Sequence, residues 1–263
     1  MSLEQDKSQD AENAGEESPQ STARDQGIVR LRKQIVHVDM QKNAQVDSKI
    51  ISHQFYNTFN YQLLPRDQIA GRLTFGVISP RVGDGKTLVA SNLGISFAVA
   101  NDKRTLLVDL NIGRPKLHKI FGTRLEPGFI SALQDPVIQV MDTPIKNLSV
   151  LPSGAAAMNV NPGLSQGGMS SDRLSSFGDL LLGVEHITAF RDLMYSLQEE
   201  FEVIIVDLPS LEAAEVPALY LNLLNGVIVV VNSGKTKKEE VDSLVHHLKE
   251  NQVVGFVFNR VPS

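Results

Sequence analysis

A doubly wound, mainly parallel α/β sheet is the fold class this sequence predicts, on three observations. From about residue 73 onward, short apolar runs alternate with amphipathic stretches. The apolar runs, such as Gly226 to Val231, are continuous rather than alternating, as expected when helices cover both faces of a sheet. The first of them, Phe75 to Ser79, enters a glycine-rich turn that opens directly into a long apolar helix. In such sheets ligands lie at the carboxyl ends of the strands.

The elements follow in order. Residues 1–27 are rich in Glu, Asp, Ser, Gln and Ala with almost no large apolar residue, and are expected to be a disordered acidic leader. A basic patch at Arg30, Arg32 and Lys33, interleaved with Val29, Leu31 and Ile35, reads as an edge strand with a solvated face, contact with acidic lipid or an acidic partner being the alternative. Asp47-Ser48 is placed to cap a helix reaching about Leu63, with Ile51, Phe55, Phe59 and Leu63 on one apolar face. Strands are expected at 73–79, 104–109, 147–151, 202–208, 226–232 and 252–258. Helices are expected at 86–100, 187–200 and 236–250, with shorter ones near 115–121, 128–134 and 213–222. In the helix at 236–250, Val241, Leu244, Val245 and Leu248 supply the i, i+3, i+4, i+7 stripe, and His246 and His247 fall off it, toward solvent. The stretch at about 155–185 has little periodicity and reads as an insertion within a domain spanning 28–263.

Composition excludes several classes. The 263 residues contain no cysteine, so disulfides and thiolate zinc sites are ruled out. No apolar run approaches the ~20 residues that span a bilayer, and no secretory signal pattern opens the chain. A cytoplasmic protein without direct membrane insertion is expected, reaching the inner face of the membrane only through a partner. The leader carries seven acidic residues against two basic ones, a net −5 that equals the formal charge of the whole chain. A neutral body with an acidic tail is poorly suited to neutralising nucleic-acid phosphates, so no nucleic-acid partner is expected.

The chemistry begins at Gly83-Asp84-Gly85-Lys86-Thr87. The glycines let backbone N–H groups approach phosphate oxygens, and the helix starting at Lys86 directs its positive end at the same anion. Lys86 can reach the terminal phosphates and the Thr87 hydroxyl can ligate Mg²⁺. Loop amides from Gly83 to Leu88 complete the expected ATP cradle, although Pro80 stands where the first glycine of such a phosphate loop usually falls. Three strand ends agree with it. Thr105 to Asp109 ends in a carboxylate that can order a metal-bound water or take a proton. Val203 to Asp207 ends in a second carboxylate suited to the metal side. Phe256 to Asn259 ends in an amide able to pair with an adenine edge. The expected metal set is therefore Thr87, Asp109 and Asp207, and the catalytic set Lys86, Asp109 and Asp207.

The run L-L-V-D-L-N-I-G-R-P-K-L-H-K-I-F-G, Leu106 to Gly122, resembles the second Walker-type motif of the bacterial tyrosine kinases that accompany exopolysaccharide and capsule chain-length regulators. These belong to a deviant P-loop group that includes the chromosome-partitioning and division-site ATPases. The likeness spans about residues 47–262, taking in Asn161-Pro162, the I-I-V-D-L-P strand and F-N-R-V-P near the end. It implies an ATP- and Mg²⁺-binding domain centred on Lys86, Thr87, Asp109 and Asp207. Four departures stand out. Asn111 replaces the second carboxylate of D-x-D; Gln54, Asn57 and Asn60 replace the charged residues tied to ring-like self-assembly; Gly113 replaces the first arginine of R-R-P; and no tyrosine-rich tail is seen. The four tyrosines, Tyr56, Tyr61, Tyr195 and Tyr220, fall in expected helices or at their edges, where packing is the expected role. Arg81 stands where partitioning ATPases carry a signature lysine, either poised for a neighbouring subunit's phosphates or simply solvated. His118 lies within the family motif without an evident duty.

The function expected from this resemblance is an ATP-dependent tyrosine-kinase-like partner of a membrane chain-length regulator, with homo-oligomerisation open. The alternative is a nucleotide-gated scaffold with degenerate kinase chemistry. A partitioning-type ATPase ranks third.

Overall fold

Three adjacent strands of one eight-stranded sheet end at the same level, and this alignment builds the site. The computed structural model describes residues 33–38, 72–154, 184–213, 216, 218–248 and 252–260, all within one unit, Arg32–Ser263. The elements are β1 (Gln34–Val38), β2 (Leu73–Ile78), α1 (Lys86–Ala100), β3 (Thr105–Asp109), α2 (Leu117–Phe121), α3 (Phe129–Gln134), β4 (Val137–Asp142) and β5 (Leu148–Leu151). They continue with α4 (Val184–Glu200), β6 (Val203–Asp207), α5 (Ala218–Leu221), β7 (Gly226–Asn232), α6 (Lys238–Leu248) and β8 (Val253–Asn259). The expected acidic leader, the helix at 47–63 with Gln54, Asn57 and Asn60, and nearly all of the insertion at 155–185 lie outside the described residues.

The strand order is β1-β4-β5-β3-β6-β2-β7-β8, parallel throughout except for the antiparallel β4–β5 pair. The doubly wound, mainly parallel α/β class is as expected. Alternate residues of each central strand serve opposite cores. Leu107, Ile205 and Val230 pack with Val89, Leu93 and Phe97 of α1, while Val108, Val206 and Val229 pack with Phe190, Leu193 and Leu197 of α4. Each of those large side chains contributes roughly 1.5–3 kcal/mol by leaving water. Because it is covered on most sides, α1 is apolar nearly all round, and it stops where Asp102 turns to φ 51 and Lys103 N–H closes on Phe97 O at 3.1 Å.

The expected central strands and long helices are present, with ends shifted by a few residues at most. One strand was not anticipated. β4, following Pro136, pairs with edge strand β1 on one side and with β5, the next strand in the chain, on the other. The edge strand expected around residues 29–35 lies at Gln34–Val38. His246 is exposed as expected. His247 is not solvated: it is half-buried, with Nε2 3.2 Å from Val216 O.

Candidate active site

Chain order in the sheet makes the site. β2 sits between β6 and β7, and β3 lies beyond β6, so the chain after β2 crosses to one side and later returns on the other. The crevice above such a switch point is where these sheets hold ligands. Val77 is in register with Asp207, and Asp207 with Asp109. The phosphate loop and both strand-end carboxylates are thereby set side by side, although about a hundred residues separate the two acids.

Within the loop, Gly83 and Gly85 have φ 92 and 101, left-handed values that cost a glycine little. Gly85 has a second reason: a Cβ there would fall 2.1 Å from Asn259 Nδ2. Asp84 is buried and turned inward, its Oδ2 accepting the Arg81 N–H at 3.0 Å. Asn259 lies against the same loop, donating from Nδ2 to Asp84 O at 2.8 Å and accepting the Arg260 N–H at 3.0 Å on Oδ1. One amide hydrogen and one lone pair of Asn259 remain available to a base. Leu88, on the first turn of α1, is partly exposed, and its carbonyl accepts from Asn92.

Lys86 is buried at the start of α1, and its charge acts on Asp207. The Thr87 hydroxyl donates to Asp207 Oδ2 at 2.7 Å. Asp207 is fully buried, and its Oδ1 has no partner. A buried carboxylate oxygen left open beside a hydroxyl is a hard-oxygen donor set that suits Mg²⁺. Among the described residues, no group of three or more His, Asp or Glu could hold a metal alone. Mg²⁺ commonly takes one or two protein ligands and completes its shell with phosphate and water.

Asp109 is held differently. Its Oδ1 accepts the Asn111 N–H at 3.1 Å, and its Oδ2 accepts the Lys116 and Leu117 N–H groups at 3.0 and 3.1 Å. Burial, and then the charge of Asp207, push its pKa up to about 7 against those three donors. Burial also raises Asp207, opposed by Lys86, the Thr87 hydroxyl and Lys116. A carboxyl that changes charge near neutrality and is fixed in orientation can accept a proton.

Three contributions were not foreseen. The Glu212 carboxylate accepts the Val82 N–H at 2.9 Å and so steadies the tip of the phosphate loop from the turn after β6. Lys116 lends its N–H to Asp109 and its charge to Asp207. Asn111 is a buried brace: its Nδ2 donates to Arg114 O at 3.1 Å and its N–H to Asp109. Only the Asp109–Asn111 spacing, which favours an Asx-turn, carried a local signal. Arg81 is not simply solvated; its guanidinium lies 3.7 Å from Glu240 of α6. Tyr220 is buried edge-on to Phe190 with ring centroids 4.8 Å apart, and burial raises its hydroxyl to about 12, so the expected packing role holds for it.

Fold, loop and carboxylates together are those of an α/β P-loop fold with a loop of the deviant Walker A type. The sequence is homologous to proteins named as bacterial tyrosine kinases. Tyrosine-protein kinase YwqD of Bacillus subtilis is 24% identical over 229 residues, covering 84% of this chain and 86% of that protein. Succinoglycan biosynthesis transport protein ExoP of Rhizobium meliloti is 27% identical over 215 residues; the match covers 78% of this chain but a quarter of that protein's length. In structure, the kinase domain of Escherichia coli tyrosine kinase ETK matches with a TM-score of 0.58 at 17% identity, covering 79% of this chain and 74% of that one. The septum site-determining protein MinD of Pyrococcus horikoshii, complexed with Mg-ADP, matches at 0.51 and 17% identity, covering 72% and 70%. No family model matches the chain. No helix among the described residues is long and apolar enough to cross a membrane.

Proposed function

We propose that this protein binds ATP with Mg²⁺ and transfers its terminal phosphoryl group to a tyrosine hydroxyl, acting with a membrane chain-length regulator in exopolysaccharide production. The reading is carried by Asp109: a buried carboxylate fixed by three backbone donors and raised to about 7, beside a second acid in the crevice of a phosphate loop. The pathway rests on relatives such as the succinoglycan protein ExoP.

Lys86 and the amides of Gly83 to Leu88 hold the phosphates, and Asn259 meets the base. Thr87 and Asp207 are the residues that would hold Mg²⁺, with Asp109 beside them; when bound, the ion neutralises charge between phosphate oxygens. Asp109 orients the acceptor hydroxyl and takes its proton as the oxygen attacks the terminal phosphorus and ADP leaves.

The test is phosphotransfer from labelled ATP by the purified chain, alone and with cytosolic fragments of candidate membrane partners. Label on tyrosine that disappears in both Lys86→Met and Asp109→Asn is the expected result. ATP binding without any label would reject the kinase reading. It would favour a nucleotide-gated scaffold, for which one observation speaks: Asn111, a neutral loop brace, occupies the place of the second metal-side acid.

A further inference from the structure

Directly after Asp109 the chain turns into a pocket of about 670 Å³ built on residues 114–125. Its charged lining is entirely basic, Arg114, Lys116 and Lys119, and its apolar lining is Pro115, Ile120 and Leu125. From Leu110 to Leu125 the sequence carries four cations and no carboxylate, in a chain whose net charge is −5. None of the four (Arg124 is the last) forms an ion pair with a described residue, whereas Arg81, Lys103, Arg104, Lys146 and Arg191 each have a carboxylate within 4.0 Å. His118 also lines the pocket, with Nδ1 buried and unpartnered; burial and the Lys119 charge push its pKa below the ordinary value.

The pocket and the carboxylate pair share one turn. The N–H of Lys116, which lines the pocket, and that of Leu117 after it are the ones that hold Asp109 Oδ2. No phosphate-loop residue lines the pocket, so it is distinct from the ATP cradle. Its lining suits a ligand that is both anionic and partly apolar. An aromatic ring can lie on Pro115, Ile120 and Leu125 or over a guanidinium, while flanking carboxylates meet Arg114 and Lys119. A sulfated or uronate polymer would meet the cations, but its hydroxylated pyranose rings have no aromatic face for the apolar side.

We propose that this pocket docks the phosphoacceptor, a partner's peptide segment in which the accepting tyrosine is flanked by Asp or Glu. The docking deepens the kinase reading, which it needs only for the transfer itself. There the tyrosine Oη–H proton passes to Asp109, Oη bonds to the terminal phosphorus of ATP, the bridging P–O bond breaks, and ADP leaves.

The experiment measures fluorescence anisotropy of labelled tyrosine peptides on the full chain with Mg²⁺ and a non-hydrolysable ATP analogue. The peptides differ only in flanking Glu, Gln or Lys. The Glu peptide is expected to bind about tenfold tighter than the Gln peptide, with the advantage shrinking as salt rises. In the Arg114→Gln/Lys119→Gln double variant that advantage should vanish, with the thermal midpoint unchanged. Equal binding of the Glu and Gln peptides, or a Glu preference that survives the double variant, would overturn the proposal. Tighter binding of polygalacturonate than of the Glu peptide through Arg114 and Lys119 would also overturn it and assign the pocket to polymer. Labelled ATP run in parallel separates the two readings. Selective docking without transfer keeps the pocket and rejects the kinase; transfer without Glu selectivity keeps the kinase and rejects the pocket.

Discussion

At the scale of single residues, the site depends on small groups in places where nothing larger fits. Gly85 combines φ 101 with an Asn259 amide where its Cβ would lie. Gly85→Ala forces Asn259 off Asp84 O and strains the loop, at a cost of about 1–3 kcal/mol. Nucleotide affinity should fall by at least about tenfold with the loss of loop geometry. Isothermal titration with ATP and Mg²⁺, beside chemical denaturation, checks both; wild-type affinity would remove the geometric role given to Gly85. The main acids, the lysine and the phosphate-loop threonine were legible because strand-end Asp and G-x-G-K-T are local patterns. Glu212 was not, because it sits 130 residues from the Val82 N–H it meets.

At the scale of elements, two acids from different parts of the fold hold the tip of the phosphate loop. Glu212, after β6, takes the Val82 N–H, and Glu240 of α6 faces Arg81. A carboxylate so near the cradle opposes an incoming anion through the field it adds. Glu212→Ala should therefore tighten ATP binding by about threefold, most visibly at low salt. The denaturation midpoint should barely move, since the contact is exposed. Weaker binding in Glu212→Ala would mean that Glu212 shapes the loop for ATP instead of opposing it. α1 was legible to the residue because its glycine turn and its end are both written locally. β4 was missed although Val137 to Met141 is an apolar, β-branched run with β5 close behind it, because its parallel partner β1 lies far earlier in the chain.

At the scale of the molecule, edge strand β1 is secured by a histidine between two acids. His37 Nδ1 lies 2.7 Å from Asp142 of β4, and Nε2 meets Glu200 at the end of α4. Burial lowers its pKa, but the two carboxylates outweigh burial and the net shift is upward from 6.5. The sign follows from proton linkage. The folded state holds the proton more tightly, so the stabilisation is complete below about 6.5 and fades as pH climbs through the raised folded value. His37→Gln should thus lose stability relative to wild type at pH 6, with the gap narrowing by pH 8.5. The loss stays under about 1 kcal/mol because these groups are partly exposed. Urea denaturation of both proteins at the two pH values is the check, and a gap that widens with pH would refute the charged clamp.

Sequence periodicity was sufficient for the central strands, the long helices and the parallel class, because burial on both faces demands continuous apolar runs that are visible residue by residue. Composition alone excluded disulfides. The tertiary structure decided which distant groups meet. It set Asp109 level with Asp207 and brought Glu212 to the Val82 N–H. Those outcomes depend on strand order and register, which arise from the packing of the whole chain and leave no local trace.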